Sequence, residues 1–390
     1  MKRRLLDLLV CPSCSGSFVL TPELEEPRPG SAAAGYETEI IEGMLACAGC
    51  GHAYPIINAI PRILDPDLLG RMEPRYPDYF TRHGRPTTAT ASPDALGETL
   101  DSFTRQRLDL APPGPEFIAQ WRAHLAKVLG PELTPEQIDG RLVLDAGCGF
   151  GRHVFTAVEL GAEVVGMDLS GAVDVAFRNT QHLDRAHIVQ TNLYRPPFAQ
   201  GTFDIVWSFG VLHHLPDPRE GFRVIARLAR PVGGLVAIWV YGYEGMAFTY
   251  RLSHLRPIRR LVAGRSARSK VRASQAIAAA LSAAYWTPLG VLDRLGFRKR
   301  IELLPLSEQI QHNWSARVAA VHDRVATPIT HYHDRAELEA WFEDIGMTDV
   351  VVADTNRRGW RASGRRRDEA VVRDEGARAK RRVLATEDSK

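Results

Sequence analysis

From residue 142 to residue 153 the chain reads Leu-Val-Leu-Asp-Ala-Gly-Cys-Gly-Phe-Gly-Arg-His, an apolar strand that runs into glycines at every second position and then into a helix. Glycines there let the backbone turn tightly and approach a ligand closely, and the helix N-terminus just beyond favours a carboxylate. The next strand, Glu163 to Met167, ends in Asp168, 23 positions after Asp145. That separation suits one strand-helix-strand unit, and an acid so placed can accept hydrogen bonds from both hydroxyls of a ribose. Further apolar runs at Ile188 to Gln190, Phe203 to Trp207 and Leu235 to Val240 alternate with helix-length segments. Such alternation predicts an α/β fold, a Rossmann-like parallel sheet with helices on both faces.

The cysteines set a second constraint. Cys11-Pro12-Ser13-Cys14 and Cys47-Ala48-Gly49-Cys50 each place two thiols two residues apart, the spacing of a knuckle around one tetrahedral metal ion. Cys11, Cys14, Cys47 and Cys50 together close the coordination sphere. Zinc bound there is expected to be structural and to supply folding energy to a segment too small to hold itself together. His52 is left without a coordination role and reads as a surface residue. The fifth cysteine, Cys148, stands in the glycine turn, so the pattern is metal arithmetic and not a disulfide framework, which favours a cytoplasmic location. Met1 to Val10 has a basic start, but its short apolar stretch is broken by Asp7 and no small-residue cleavage site follows; it reads as a helix or strand entering the ribbon.

These features divide the chain into a zinc ribbon at 1–65, linker and cap helices at 66–140, a sheet domain at 141–364 and a disordered basic tail at 365–390. The ribbon ends in the proline-punctuated strand pattern Tyr54 to Leu64, and the cap region shows helical spacing from Phe117 through Trp121, Leu125 and Val128. The sheet pattern is interrupted at about 242–330 before Ala336 to Ile345 resumes as an amphipathic helix, which predicts a helical lid insertion. Within it, Arg251 to Arg272 includes Arg256, Arg259, Arg260, Arg265, Arg268 and Lys270 with no acid, the pattern of a solvated helix face. Ala273 to Leu292 carries no charge, yet it is rich in Ala and Ser and contains Pro288; a buried lid helix is expected there, and no transmembrane segment. The net charge of +3, from 49 basic and 46 acidic residues, supplies no global field that would announce a nucleic-acid partner.

Residues 141–240, with the strand Phe203 to Trp207 followed by Ser208-Phe209-Gly210-Val211-Leu212-His213-His214-Leu215-Pro216-Asp217-Pro218, resemble the type-11 class of S-adenosylmethionine-dependent methyltransferases, which includes ubiquinone and menaquinone biosynthesis enzymes. The resemblance implies S-adenosyl-L-methionine as cofactor. Asp145, Gly147 and Gly149 would surround its methionine end, Asp168 its ribose, Asn192 and Leu193 its adenine, and Phe209 the methyl-transfer site. The family usually has an acid where Asn192 stands, although an amide oxygen can still accept a hydrogen bond from the adenine amino group. A nicotinamide-binding sheet would place its third glycine later than Gly151. Residues 1–65 are similar to the zinc-ribbon family whose free-standing member activates several tRNA and protein methyltransferases.

The acceptor is less constrained. Methyl transfer from a sulfonium needs alignment in a dry cavity, and an oxygen acceptor gains from a general base, for which His213 and His214 are the candidates. His331-Tyr332-His333, where the chain returns from the insertion, would turn both imidazoles to one side. The loop after Trp207 lacks the Asn/Asp-Pro-Pro-aromatic pattern that grips an exocyclic amine, and no cysteine remains to attack a pyrimidine. O-methylation of a small-molecule or lipid-linked metabolite is therefore expected. RNA is the alternative, because Thr330 to Leu338 resembles part of the wobble-uridine carboxymethyl methyltransferases; a non-catalytic scaffold is the third reading, against which the intact Asp145, glycine turn and Asp168 argue. The oligomeric state is open.

Overall fold

A computed structural model describes residues 1–30, 33–84, 104, 115–242, 262, 265, 267–301, 304, 306–311, 314–325, 327, 329–355 and 359–367. Among these described residues, the seven strands after residue 141 are β5 (Leu142–Ala146), β6 (Glu163–Asp168), β7 (Ala186–Thr191), β8 (Ile205–Phe209), β9 (Leu235–Tyr241), β10 (Met347–Asp354) and β11 (Gly359–Arg366). Their spatial order is β7-β6-β5-β8-β9-β11-β10, with β11 antiparallel to both neighbours and β5 to β9 parallel. Alternation along each strand serves two cores. Val143, Val164, Ile188 and Ile205 face one layer with Leu125, Ile138, Val154 and Val173. Their successors Leu144, Val165, Val189 and Val206 face the other with Phe222, Ile225, Leu338 and Phe342. A parallel sheet covered on both faces needs such continuous apolar strands, and the five expected ones all form.

The ribbon holds β1 (Phe18–Pro27), β2 (Thr38–Cys47), β3 (Ala53–Ile57) and β4 (Ile60–Ile63), an antiparallel ladder. Its last strand does not stop there. Arg62 and Ile63 of β4 pair in parallel with Gln190 and Thr191 of β7, so one sheet of 11 strands runs through ribbon and sheet domain. Through this pairing the ribbon satisfies backbone groups that β7 would otherwise leave bare at a sheet edge.

Between β4 and β5 lie short helices at Pro66–Gly70 and Pro77–His83 and the longer helix Pro115–Leu129, which buries Trp121, Leu125 and Val128 as expected. The insertion between β9 and the helix Arg335–Glu343 is helical at Ala267–Leu281, Thr287–Leu292, Arg298–Ile301 and Trp314–Val325. Two expectations for it fail. The uncharged stretch belongs to a 33-residue helical run, Ser269–Ile301, of whose most apolar window 17% is buried, so it is not a buried lid helix: only one side, through Ala278 and Trp286, packs on Val321 and Val325. Lys270 is buried instead of solvated, while Arg265 is exposed; Arg256, Arg259 and Arg260 lie outside the described residues. The basic tail also begins later than residue 365. Arg365 pairs with Leu235, and Arg366 donates from Nη1 to the carbonyls of Arg227 and Ala229, so both belong to β11. Residues 368–390 lie outside the described ones.

Candidate functional site

The order of parallel strands reverses between β5 and β8, and at such a switch point the loops beyond the strand C-termini part to form a crevice. The glycine turn leaves β5 here. Gly147 has φ of 90°, and a Cβ on it would lie 2.3 Å from the Val211 side chain, so the turn and the loop after β8 touch through a position only glycine can occupy. Gly149 has φ of 53°, but nothing lies within 4 Å of where its Cβ would be; the turn is open on that side.

Asp145, on β5, is 1% exposed, and neither carboxylate oxygen has a hydrogen-bond partner. The Trp207 indole N–H across the β5–β8 pair is also unpartnered. Burial lifts the Asp145 carboxyl to about 7, against the pull of the Arg152 guanidinium and of the Trp207 indole N–H, which faces the carboxylate without closing a well-formed hydrogen bond. A buried carboxylate without a donor is costly unless a ligand supplies one, and an ammonium group would do so. Asp168, at the end of β6, is differently furnished. Its Oδ2 accepts from the Gly149 N–H at 2.9 Å, and its Oδ1 from the N–H and hydroxyl of Ser170 at 2.8 and 2.7 Å. These bonds tie the glycine turn to the next loop and aim the carboxylate, which has further lone pairs to offer. Asn192 follows β7; its Oδ1 accepts from the Tyr194 N–H at 3.0 Å, an Asx turn that presents buried Leu193. Phe209 closes β8, stacked on Trp207 at 5.6 Å and edge-on to His153. Asp145, Gly147, Gly149, Asp168, Asn192, Leu193 and Phe209 thus all sit at the C-terminal edge of four adjacent strands.

His213 and His214 form a single turn after β8. His213 is fully buried, stacked on Tyr241 at 3.9 Å, and neither ring nitrogen has a partner. Burial holds it well below the ordinary imidazole range, helped by the neighbouring His214, His333 and His331. His214 Nδ1 lies 2.9 Å from the Ile329 carbonyl. A carbonyl can only accept, so the proton sits on Nδ1 and the lone pair on Nε2. The returning chain packs onto this turn: the His331 N–H donates to the His213 carbonyl at 2.8 Å, and the His333 N–H to the Tyr241 carbonyl at 2.9 Å. The rings of His331 and His333 lie 6.4 Å apart, near parallel, as the alternation suggested. His333 Nδ1 lies 3.0 Å from Glu337 Oε1, while its Nε2 is buried without a partner.

Several residues of this edge escaped the sequence reading. Ser170 orients Asp168, and Gln190 donates from Nε2 to the Leu169 carbonyl at 2.9 Å. Gln190 is itself held at 2.7 Å by Arg62 of the ribbon, whose guanidinium is wholly buried and also pairs with Asp174 at 2.5 Å. Arg62 is a cation in the middle of an apolar strand, and that is the one signal it offered.

In the ribbon, the sulfurs of Cys11, Cys14, Cys47 and Cys50 all lie within 4.8 Å of one another, with Cys11–Cys50 at 3.6 Å and Cys14–Cys47 at 3.4 Å. Ligands at ~2.3 Å from a tetrahedral zinc stand about 3.8 Å apart, so this cage fits one structural Zn2+ with no open position. His52 is exposed, outside the cage, with Nδ1 3.1 Å from Cys50 Sγ.

Comparison with known proteins matches two parts of the chain. Residues 144–237 match the family model described as a methyltransferase domain, and residues 2–58 match that of Trm112p-like proteins. An uncharacterised Synechococcus protein is 32% identical over 192 residues, covering 48% of this chain and 44% of its own length. The tRNA U34 carboxymethyltransferase of Idiomarina loihiensis is 37% identical over 108 residues, 26% of this chain and 33% of that protein. The ubiquinone biosynthesis O-methyltransferase of Albidiferax ferrireducens is 32% identical over 126 residues, 31% and 44% of the respective chains. The matched stretch spans less than half the length of each of these relatives. The chain thus carries a methyltransferase domain of that family at residues 144–237, joined in one polypeptide to a Trm112p-like zinc-ribbon domain at residues 2–58.

Proposed function

We propose that the protein transfers the methyl group of S-adenosylmethionine to an oxygen of a small or lipid-linked metabolite. The observation that carries the cofactor half of this reading is the unpartnered, buried carboxylate of Asp145 beside an open glycine turn. The cofactor's amino acid end has the ammonium group that Asp145 lacks, and the N–H groups of the turn suit its carboxylate. Asp168 accepts from the ribose hydroxyls, Leu193 packs on the adenine with Asn192 at its rim, and Phe209 borders the methyl group. Bound there, the cofactor supplies a methyl carbon activated by a sulfonium.

His213 and His214 are the proposed bases. An imidazole held well below its ordinary range is neutral near pH 7 and has a lone pair for the proton of an acceptor hydroxyl. His214, with its Nδ1 proton on the Ile329 carbonyl, would take the acceptor's proton on Nε2. The near-balanced charge of the chain favours a small acceptor over RNA. The similarity to tRNA-modifying relatives and the Trm112p-like ribbon of this chain favour RNA. Incubating the protein with methyl-tritiated cofactor and cell extract split into nucleic-acid, protein and solvent-extractable fractions separates the two. Label in the solvent-extractable fraction is expected. Label confined to nuclease-sensitive material overturns the acceptor, and no label despite cofactor binding overturns turnover itself.

A further inference from the structure

Between Leu289 and Ile301, both buried, the chain makes an excursion in which no residue is buried. It leaves along the helix Thr287–Leu292, reverses at Gly296, whose φ of 91° breaks the helix, and returns through Arg298–Ile301. Four large apolar side chains point into solvent there: Val291 at 51%, Leu292 at 41%, Leu295 at 67% and Phe297 at 46% exposure. Arg294, Arg298, Lys299 and Arg300 are exposed among them, and Asp293 is the one acid of the stretch, paired with Arg298 at 3.9 Å.

A turn that exposes leucine and phenylalanine at its apex pays the hydration cost of each without any gain inside the fold. A solvated loop would carry polar residues at those positions. The combination of an apolar apex and a basic collar is complementary to one surface, the boundary between an anionic headgroup layer and the acyl chains beneath it. Nucleic acid would meet the collar alone. Its bases stack on aromatic faces, whereas three of the four apical side chains are aliphatic.

The geometry points to peripheral docking and not to a span. The long helical run packs one side on the helix Trp314–Val325, and Ser274 within it donates or accepts at 3.1 Å with buried His322. By length and composition the run Ser269–Ile301 could cross a membrane, but the Gly296 break returns the chain to the buried Ile301, so its far end is a turn and not a continuous helix. We infer that residues 291–300 form a tip that inserts Leu295 and Phe297 into an anionic lipid leaflet, with Arg294, Arg298, Lys299 and Arg300 on the headgroups. This deepens the lipid-linked branch of the proposed function by placing the enzyme where such an acceptor resides. Vesicle binding is read without turnover, so either conclusion can fail alone.

The test is flotation of the full chain with phosphatidylcholine vesicles, with and without phosphatidylglycerol. Binding is expected to the anionic vesicles and to weaken roughly fivefold for each unit of positive charge removed, two units in each of Lys299→Glu and Arg300→Glu. Leu295→Asp with Phe297→Asp should weaken it by on the order of a hundredfold. Both positions are exposed, so unchanged calorimetric affinity for S-adenosylmethionine shows that these variants remain folded. Absence of flotation with anionic vesicles overturns the inference, as does flotation that survives the double aspartate change. Loss of tRNA binding in Lys299→Glu with no vesicle binding by the parent chain also overturns it and assigns the collar to RNA.

Discussion

Replacing Asp145 by asparagine should stabilise the cofactor-free protein while weakening cofactor binding. The native carboxyl is raised from 3.8 to about 7 by burial, and each unit corresponds to ~1.4 kcal/mol between protonation states. In the unfolded chain the group ionises near its ordinary value; in the folded protein it keeps its proton until about pH 7. The folded state therefore binds more protons across that window, and stability falls as pH rises from about 4 to about 7. Above it, the loss of stability amounts to roughly 4 kcal/mol, and at pH 5 to about 2 kcal/mol. Asparagine has the same shape and no charge, so it removes this pH-dependent term while leaving the same polar atoms unpartnered. Urea unfolding of both proteins at pH 5 and pH 8 isolates the effect, because other titrating groups cancel in the difference. The variant should be more stable at pH 8, by a margin about 2.5 kcal/mol larger than at pH 5. Calorimetry should show the opposite sign for the cofactor, a loss of roughly 1.5–3 kcal/mol for a bond to a charged group. A variant no more stable at pH 8, or one that binds the cofactor unchanged, would refute the account of Asp145 as a site residue held at a cost in stability.

Other outcomes follow from the same structure. Asp168→Ala should lose roughly 1.5–3 kcal/mol of cofactor affinity by calorimetry, since the carboxylate also fastens the glycine turn through Gly149. Elemental analysis should find one zinc per chain, lost in Cys47→Ser with Cys50→Ser; metal content unaffected by those changes would remove the ribbon site. Arg62→Met should lower the urea midpoint by the equivalent of about 2–3 kcal/mol, at the lower edge of what breaking a buried ion pair costs because Arg75 and Tyr76 still hold Asp174. A change below ~1 kcal/mol would show that the buried guanidinium is not a link between the domains.

What could be read from sequence was local. The glycine turn, the acid ending β6 and the two cysteine pairs declare themselves within a few residues, and the five parallel strands through unbroken apolar runs. What could not be read depends on partners far along the chain. The β4–β7 pairing joins residues 128 apart, and Arg62 inside an apolar strand makes sense only once Gln190 and Asp174 are beside it. Arg365 and Arg366 look like a charge run, yet their backbone completes β11 and their guanidinium groups reach carbonyls of Arg227, Ala229 and Gly233. The Ala- and Ser-rich run of the insertion has the same composition whether it is covered or exposed. Only the packing of Trp286 on one side distinguishes the two, and it leaves most of the helix in solvent.

Fusion of the ribbon to the sheet has a physical consequence for the cofactor edge. Arg62 donates to Gln190 Oε1, the Gln190 amide donates to the Leu169 carbonyl, and Leu169 follows Asp168 directly. Asp174, the other partner of Arg62, lies in the helix Val173–Thr180 that begins just beyond Ser170, the residue aiming Asp168. The loop that presents Asp168 is thus fastened at both ends to a side chain of the ribbon. A small ribbon folded around its zinc adds a paired edge to β7, and it also sets how rigidly the loop holds its carboxylate, because a positioned group binds with less conformational entropy to lose. Arg62 of the ribbon and the cofactor edge are two ends of one hydrogen-bonded path across β4 and β7, and a ribbon that had only to cover a sheet edge would have no use for a buried arginine there.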